Sequence, residues 1–357
     1  IWPHLTSTVL PHYILTTITL MTGVGLGTLV IGTGCAWLVT MCEFPGRRQF
    51  EWALLLPLAV PAYIVAYVYT DILEFAGPVQ EMLRDSYGWK LKSEYWFPEI
   101  RSTGGAALMM TLAFYPYVYL LSRAAFLEQS VGVLEVGRTL GHGPWRGFFK
   151  IALPLARPAI IVGLTLVLME TLNDFGTVDY FAVATFTAGI FDVWLNMNNV
   201  GGAAQLATVL LGFVLVLIYL ERRNRKGQQY HHTSMKTQAL PGYRLRGILC
   251  FAAILSCAIP VLLGFIVPAS VLLKYALIHY GEALNANIIS FTLNSLLLAS
   301  AAAIICVLVG SFLAYGARLD GGPIVKGAAR FASLGYAVPG AVLAIGVIIP
   351  TASVDNS

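Results

Sequence analysis

The residues best placed to do chemistry fall in two stretches. The first is 128–158, EQSVGVLEVGRTLGHGPWRGFFKIALPLARP. Ser130 can cap a short helix whose apolar positions are Leu134, Val136 and Leu140. Gly141 can stop that helix in the left-handed conformation, and His142-Gly143 turns the chain. Pro144 suits the first position of a second helix, which carries Trp145, Phe148, Phe149 and Ile151 and is expected to end at Pro154. The product is a helix–turn–helix with an apolar side, a basic side of Arg138, Arg146 and Lys150, and one acid, Glu135. Such a piece can dock into a groove on a partner, or it can lie on lipid. The second stretch is 170–180. Glu170 and Asp174 are one helical turn apart, Asn173 is beside them, and Asp179 and Tyr180 follow. Carboxylate, amide and phenol oxygens suit a hard, highly charged cation in transit. The competing reading is that Asp174 and Asp179 cap or pair near an interface.

The remaining reactive residue types form no recognisable catalytic set. No Gly-Lys dipeptide occurs, so there is no Walker A phosphate loop, and no H-E-x-x-H is present. His4, His12, His142 and His279 are scattered, and His231-His232 lies in a basic stretch. Cys35, Cys42, Cys250, Cys257 and Cys306 lie mostly in apolar runs without a C-x-x-C, which reads as packing. Gly23, Gly25, Gly27, Gly32 and Gly34 also sit in an apolar run, where small residues let helices approach closely. Tyr115, Tyr117 and Tyr119 could line a path or simply pack.

These stretches are held by a chain that is 57% hydrophobic and only 11% charged over 357 residues. A soluble fold of that size could not cover itself with so few charges. Eight segments reach the ~20 apolar residues needed to cross a bilayer: roughly 13–40, 52–75, 105–127, 158–178, 203–220, 247–273, 290–316 and 331–350. Prolines 57, 61, 116, 260 and 268 within them predict kinks. Sixteen of the 22 Lys and Arg fall in alternate connections, and Arg123 at the end of a span stands beside one of them, which assigns 41–51, 128–157, 221–246 and 317–330 to the cytoplasm. The net charge of +4 is thereby explained without nucleic acid. The segments 76–104, 179–202 and 274–289 then face outward, with Asp71 and Glu74 at an outer interface.

A shift of 278 residues aligns two parts of the chain without a gap. Tyr13 falls on Phe291, Leu20 on Leu298, Gly32 on Gly310 and Ala36 on Ala314, and Ala59-Val60-Pro61 falls on Ala337-Val338-Pro339. A tandem parallel repeat is expected, as in several transporter plans.

The spacing of Glu135, Gly141 and Ile151-x-Leu153-Pro154 resembles the EAA loop of ABC importer permeases, E-A-A-x3-G-x9-I-x-L-P. Val136-Gly137 replaces the two alanines, and a glycine there loosens the helix by up to ~1 kcal/mol. Trp-Phe-Pro-Glu-Ile-Arg at 96–101, Tyr-Pro-Tyr-Val-Tyr at 115–119 and Met-Glu-Thr-Leu-Asn-Asp-Phe-Gly-Thr-Val-Asp-Tyr-Phe at 169–181 look like the ferric-iron importer permeases, which are fused double-length chains. The resemblance implies an all-α polytopic membrane protein with the type I ABC importer permease fold, in a bacterial inner membrane. It implies a first permease repeat at 1–225 that lacks its first helix, with a coupling loop at 128–157. A basic cytoplasmic linker at 226–246 and the start of a second repeat at 247–357 would follow, the second coupling loop lying past Ser357.

In that reading Glu135 anchors an ABC ATPase dimer, Arg138 sits on the docking helix, Gly141 makes the turn, and Ile151, Leu153 and Pro154 join the loop to the membrane helix. ATP and Mg would be bound by that partner and no cofactor by this chain. A periplasmic substrate-binding protein would deliver the solute, and no nucleic acid is involved. Glu170, Asn173, Asp174, Asp179 and Tyr180 are the candidate path for Fe³⁺. Two alternatives remain. One is an ABC permease for thiamine, a polyamine, a phosphonate or an oxyanion such as sulfate. The other is a gradient-driven carrier using Glu170 and Asp174 as a relay, which has no need of the loop.

Overall fold

The computed structural model describes residues 9–129, 143–225, 242–280, 286–319 and 338–355, with 322, 325, 327, 328, 332 and 335 between the last two stretches. In chain order the elements are α1 (Leu10–Met41), β1 (Cys42–Glu43), α2 (Arg47–Ala53), α3 (Ala62–Leu73), α4 (Pro78–Tyr87) and α5 (Thr103–Leu127). A long rod, α6 (Trp145–Asn173), comes next. It is followed by α7 (Gly176–Tyr180), α8 (Phe186–Phe191), α9 (Val200–Arg225) and β2 (Tyr243–Arg244). The rest are α10 (Ile248–Ile278), α11 (Ala286–Leu319) and α12 (Gly340–Asp355). The chain divides into two compact units, 1–269 with 339–357, and 270–338.

Among the described residues six helices are long and apolar enough to span a membrane, or up to seven if one bent pair counts as a span. Eight were expected. The spans at 13–40, 105–127, 203–220, 247–273 and 290–316 agree closely. The expected span 52–75 does not form one helix: its two parts meet at an angle of 88°. Pro61 has no N–H to donate and forces Val60 into extended backbone (φ −111°, ψ 115°), so the preceding helix cannot run through it, and the next begins at Ala62. The fourth span begins and ends earlier than the expected 158–178, at Asn173. The segment expected at 331–350 is helix from Gly340 to Asp355, sixteen residues and short of a full crossing.

The core of the larger unit is α5, clasped between α1 and α6. Lipid gives apolar helices no reason to associate by burial, so close approach must do it. A Cβ on Gly32 of α1 would lie 2.8 Å from Val118 Cβ and 2.9 Å from the Tyr115 carbonyl oxygen and the Tyr119 nitrogen. On the other side, a Cβ on Gly163 of α6 would lie 3.0 Å from Val118 Cα. The α5 backbone at Val118 is thus touched by bare backbone on two flanks. Gly23 and Gly27 continue the α1 contact against Ala107 and Thr111. Cys35, Cys42 and Cys257 are buried and all five cysteines are unpaired, in line with a packing role. Tyr115 and Tyr119 are fully buried in this core.

The α1 and α5 ends are tied at the end rich in Arg and Lys. Arg47 Nε donates to the Val39 carbonyl at 2.6 Å, and Arg123 Nη2 meets Glu51 Oε2 at 2.8 Å. Tyr119 donates to the Glu51 carbonyl at 3.1 Å. At the opposite end, α4 and the turn after it form a small cap. Gln80 is buried, donates to Leu73 O at 2.7 Å and accepts from the Tyr95 hydroxyl at 2.5 Å. Tyr87, Trp89 and Tyr95 stack in a row with centroids 4.7 and 5.0 Å apart.

Replacing Gly32 or Gly163 with leucine should separate α5 from its neighbour and cost at least the ~1–3 kcal/mol typical of overpacking. Thermal unfolding of purified protein in lipid nanodiscs checks this; Gly34→Leu is the control, because nothing lies within 4 Å of its Cβ position. Glu51→Gln should lower stability by about 1–3 kcal/mol by leaving Arg123 half-buried without its anion. The same unfolding measurement on Glu51→Gln, Arg123→Met and the double variant tests the pair, the double variant being less destabilised than the sum.

Candidate functional site

Glu135, Arg138 and Gly141 of the candidate coupling loop lie outside the described residues. The exit from the loop is described from Gly143 onward. Here the expected stop at Pro154 is corrected: the helix runs unbroken from Trp145 to Asn173. Pro154 has no N–H and would leave a gap in an α-helical ladder. The five residues Phe148–Ala152 just ahead of it form a π turn, with the Leu153 N–H donating to the Phe148 carbonyl. The wider turn takes up the irregularity, so the proline bends the rod's pattern without ending it. Ile151 and Leu153 are half-buried against the core, while Pro154 is exposed.

The two ends of the loop are joined by one side chain. Gln129 Nε2, at the loop entrance, donates to the Ala152 carbonyl at the loop exit, 2.8 Å away. Behind this bond stands a group of rings centred on the buried Trp37 of α1. Phe126 of α5 lies 5.8 Å from it, Phe148 of α6 4.9 Å, and Tyr243 of β2 6.3 Å. The exit helix is therefore seated on the ends of α1 and α5.

Tyr243 belongs to the stretch expected to be a basic cytoplasmic linker, and residues 243–245 at its end are bound to the core. β2 pairs in parallel with β1, Cys42 opposite Tyr243 and Glu43 opposite Arg244. Leu245 N–H donates to the Glu43 carbonyl at 3.1 Å, and Arg244 Nε meets Glu43 Oε2 at 3.0 Å. Neither this pairing nor the Glu51–Arg123 contact was foreseen from the sequence. An acid a few residues after a basic pair, Arg47-Arg48 and Glu51, was the available signal for the second.

The five candidate path residues are not gathered in one place. Glu170 is half-buried near the end of α6. The side-chain oxygen of Asn173 is buried with no hydrogen-bond donor. Asp174 has left the helix (φ −70°, ψ 116°), so it does not share a helical face with Glu170. Its Oδ1 accepts the Thr177 N–H at 2.7 Å and caps the turn into α7. Asp179 is exposed and lines a cavity of about 570 Å³ together with Tyr13, Asp192 and Asn196. Asn196 Nδ2 donates to Asp192 Oδ1 at 2.8 Å. Tyr180 turns the other way, 6.0 Å from Tyr67 and beneath the Arg101 guanidinium at 4.9 Å. Arg101 is held in turn by Glu74 at 2.7 Å. Among the described residues no group of three or more His, Cys, Asp or Glu is arranged to hold a metal ion.

Comparison with known proteins gives this geometry a context. The Fe(3+)-transport system permease protein FbpB 2 of Haemophilus influenzae is 27% identical over 346 residues, 93% of this chain and 62% of that protein. The molybdenum transport system permease protein ModB of Escherichia coli (strain K12) is 28% identical over 201 residues, 55% of this chain and 84% of that protein. The sulfate transport system permease protein CysT of the same organism is 26% identical over 196 residues, 53% of this chain and 67% of that protein. Among solved structures, the crystal structure of a bacterial alginate ABC transporter in complex with an alginate pentasaccharide-bound periplasmic protein matches with a TM-score of 0.50. That match covers 62% of this chain and 80% of that one at 18% identity, which is a likeness of fold. Residues 28–226 match the family described as "Binding-protein-dependent transport system inner membrane component", and with more than half of its length inside that match the chain belongs to this family of multi-pass inner-membrane ABC transporter permeases, which are transport subunits and not enzymes.

Proposed function

We propose that this permease carries ferric iron, handed over by a periplasmic binding protein and driven by an ATPase docked at the loop 128–157. The observation that carries the choice of iron is the reach of the resemblance. The ferric relative aligns over 93% of the chain, through the stretch after residue 226, whereas the molybdenum and sulfate relatives align over 55% and 53%. The outer cavity favours the same choice. Asp179 and Asp192 line it, and no Lys or Arg is among its lining residues. Two carboxylates raise the local concentration of cations and lower that of oxyanions. The second reading, an oxyanion permease, rests on the 28% identity to the molybdenum relative over most of that protein's length.

In this mechanism the nucleotide state of the ATPase favours one permease conformation by binding it more tightly. Glu135 anchors the ATPase, with Arg138 beside it and Gly141 at the turn. Ile151, Leu153 and Pro154, in the first turns of α6, carry the motion along it. The periplasmic protein would dock at the opposite end, and the path would run by Glu170 and Asn173, with Asp174 as the cap of its rim.

The same reading includes a tandem repeat, with 1–225 and 247–357 as its copies. Helix boundaries support it at the offset of 278. Met41, the last residue of α1, corresponds to Leu319, the last of α11. Ala62, the first of α3, corresponds to Gly340, the first of α12. In both places a proline precedes the helix.

Cells carrying the full-length gene with its ATPase and binding protein should take up radioactive ferric iron. The Glu135→Ala, Gly141→Asp variant should abolish that uptake. Iron uptake that ignores the variant would establish a gradient-driven carrier, and uptake of molybdate in place of iron would establish the oxyanion reading. Asp179→Asn with Asp192→Asn should slow uptake of the cation on the order of two- to tenfold at low ionic strength. Because the effect acts through the field at the mouth, the difference should shrink as salt is raised toward 1 M, where screening acts within about 3 Å.

A further inference from the structure

The segment that follows the long basic stretch has no role in the mechanism above. It is nevertheless fastened to the coupling end by a strand pairing and an ion pair. The parallel pairing of β2 with β1 fixes its register. The Leu245 N–H to Glu43 O bond and the Arg244–Glu43 ion pair fix its two sides. Side chains alternate along a strand, so Arg244 faces outward and exposed while Tyr243 faces the ring of Trp37. The Tyr243 hydroxyl oxygen comes within 3.3 Å of where a Cβ on Gly147 would lie. Gly147 is the residue immediately before the π turn. The phenol therefore lies against the backbone of the loop's exit helix at the one point where it has no side chain, with Phe148 on Trp37 next to it.

We propose that Tyr243 is a positioning residue for the coupling loop: it closes the aromatic cage of Trp37, Phe126 and Phe148 and sets the angle at which the exit helix Trp145–Ala152 meets the ATPase. This rests on the coupling reading above. The cage has one wall from each of four segments, α1, α5, α6 and β2, and three of those belong to the membrane core. The fourth leads within a few residues into α10. In this reading Tyr243–Leu245 is the strut by which a push on the exit helix reaches the entry to α10.

The test uses the full-length permease in nanodiscs with its ATPase and loaded binding protein. ATP hydrolysis is measured as the ATPase concentration is varied. Tyr243→Ala should raise the half-saturating ATPase concentration by about three- to tenfold, the size of one lost aromatic contact, with turnover at saturation kept within about twofold. Tyr243→Phe keeps the ring and should stay closer to the unmodified protein than Tyr243→Ala does. Gly147→Ala should also raise the half-saturating concentration, because its methyl meets the Tyr243 hydroxyl. That rise should vanish in the Tyr243→Phe background, where the hydroxyl is gone. The last comparison holds even where Tyr243→Ala folds poorly. The proposal is overturned if Tyr243→Ala leaves the concentration dependence unchanged, or if Gly147→Ala has the same effect in both backgrounds. Glu135→Ala is run beside them: if it too leaves the dependence unchanged, the coupling reading itself has failed.

Discussion

Everything else in the larger unit is arranged around the contact of three helix backbones at Val118. In water, burying leucines would hold α1, α5 and α6 together; in lipid it would not, because the surrounding chains are as apolar as the side chains. What remains is dispersion between surfaces that fit, each atom pair adding only ~0.1–0.2 kcal/mol. Such a sum is large only when many atoms come close, and glycine at 32 and 163 is what permits it. The crossing point fixes where each helix ends. It brings Phe126 and Trp37 together at one end and sets α6 so that Phe148 reaches the same ring. The polar ties follow from that placement: Arg123 can reach Glu51, and Gln129 can reach Ala152, only because the helix ends are already in register.

Much of this was legible in the sequence where one physical rule dominated. Long apolar runs gave the membrane helices, because no water is present to compensate an unpaired backbone group. Of the glycines in 23–34, Gly23, Gly27 and Gly32 pack against α5 as expected, while Gly34 has nothing within 4 Å. Misreadings arose where two rules compete. Pro57 and Pro61 were expected to kink a span; Pro57 lies within a helical turn, and at Pro61 the bend reaches 88°, because Val60 is pushed into extended backbone. Pro154 was expected to end a helix and does not, because a π turn ahead of it absorbs the irregularity. Asp174 was placed on a helical face with Glu170, but its affinity for the Thr177 N–H takes it off the helix.

The β1–β2 pairing was not legible for a different reason. Each strand has two residues, too short to show alternation, and the partners lie far apart in the chain. Tyr243-Arg244-Leu245 stands in a basic, polar stretch whose composition suggests a solvated linker. The contact that defines it, a ring against Trp37, depends on a cage that exists only after α1, α5 and α6 have packed. Sequence patterns report local preferences, and this segment has none strong enough to announce itself.

The continuity of α6 decides how the two ends of the permease can communicate. Its 29 residues make a rod of about 43 Å at 1.5 Å per residue. A helix that stopped at Pro154 would place a joint between the loop and the membrane, and motion at the loop could be lost there. An unbroken rod transmits tilt instead, and its fulcrum is Gly163 against α5. The exit helix at Trp145 lies on one side of that fulcrum and Asn173 on the other. Beyond Asn173 the Asp174 cap and the Phe175–Phe191 contact, 4.2 Å between centroids, join the rod to the walls of the outer cavity. In the coupling reading proposed above, a tilt at the basic end would reach those walls along this helix, past the π turn at Phe148–Ala152 and the prolines at 154 and 158.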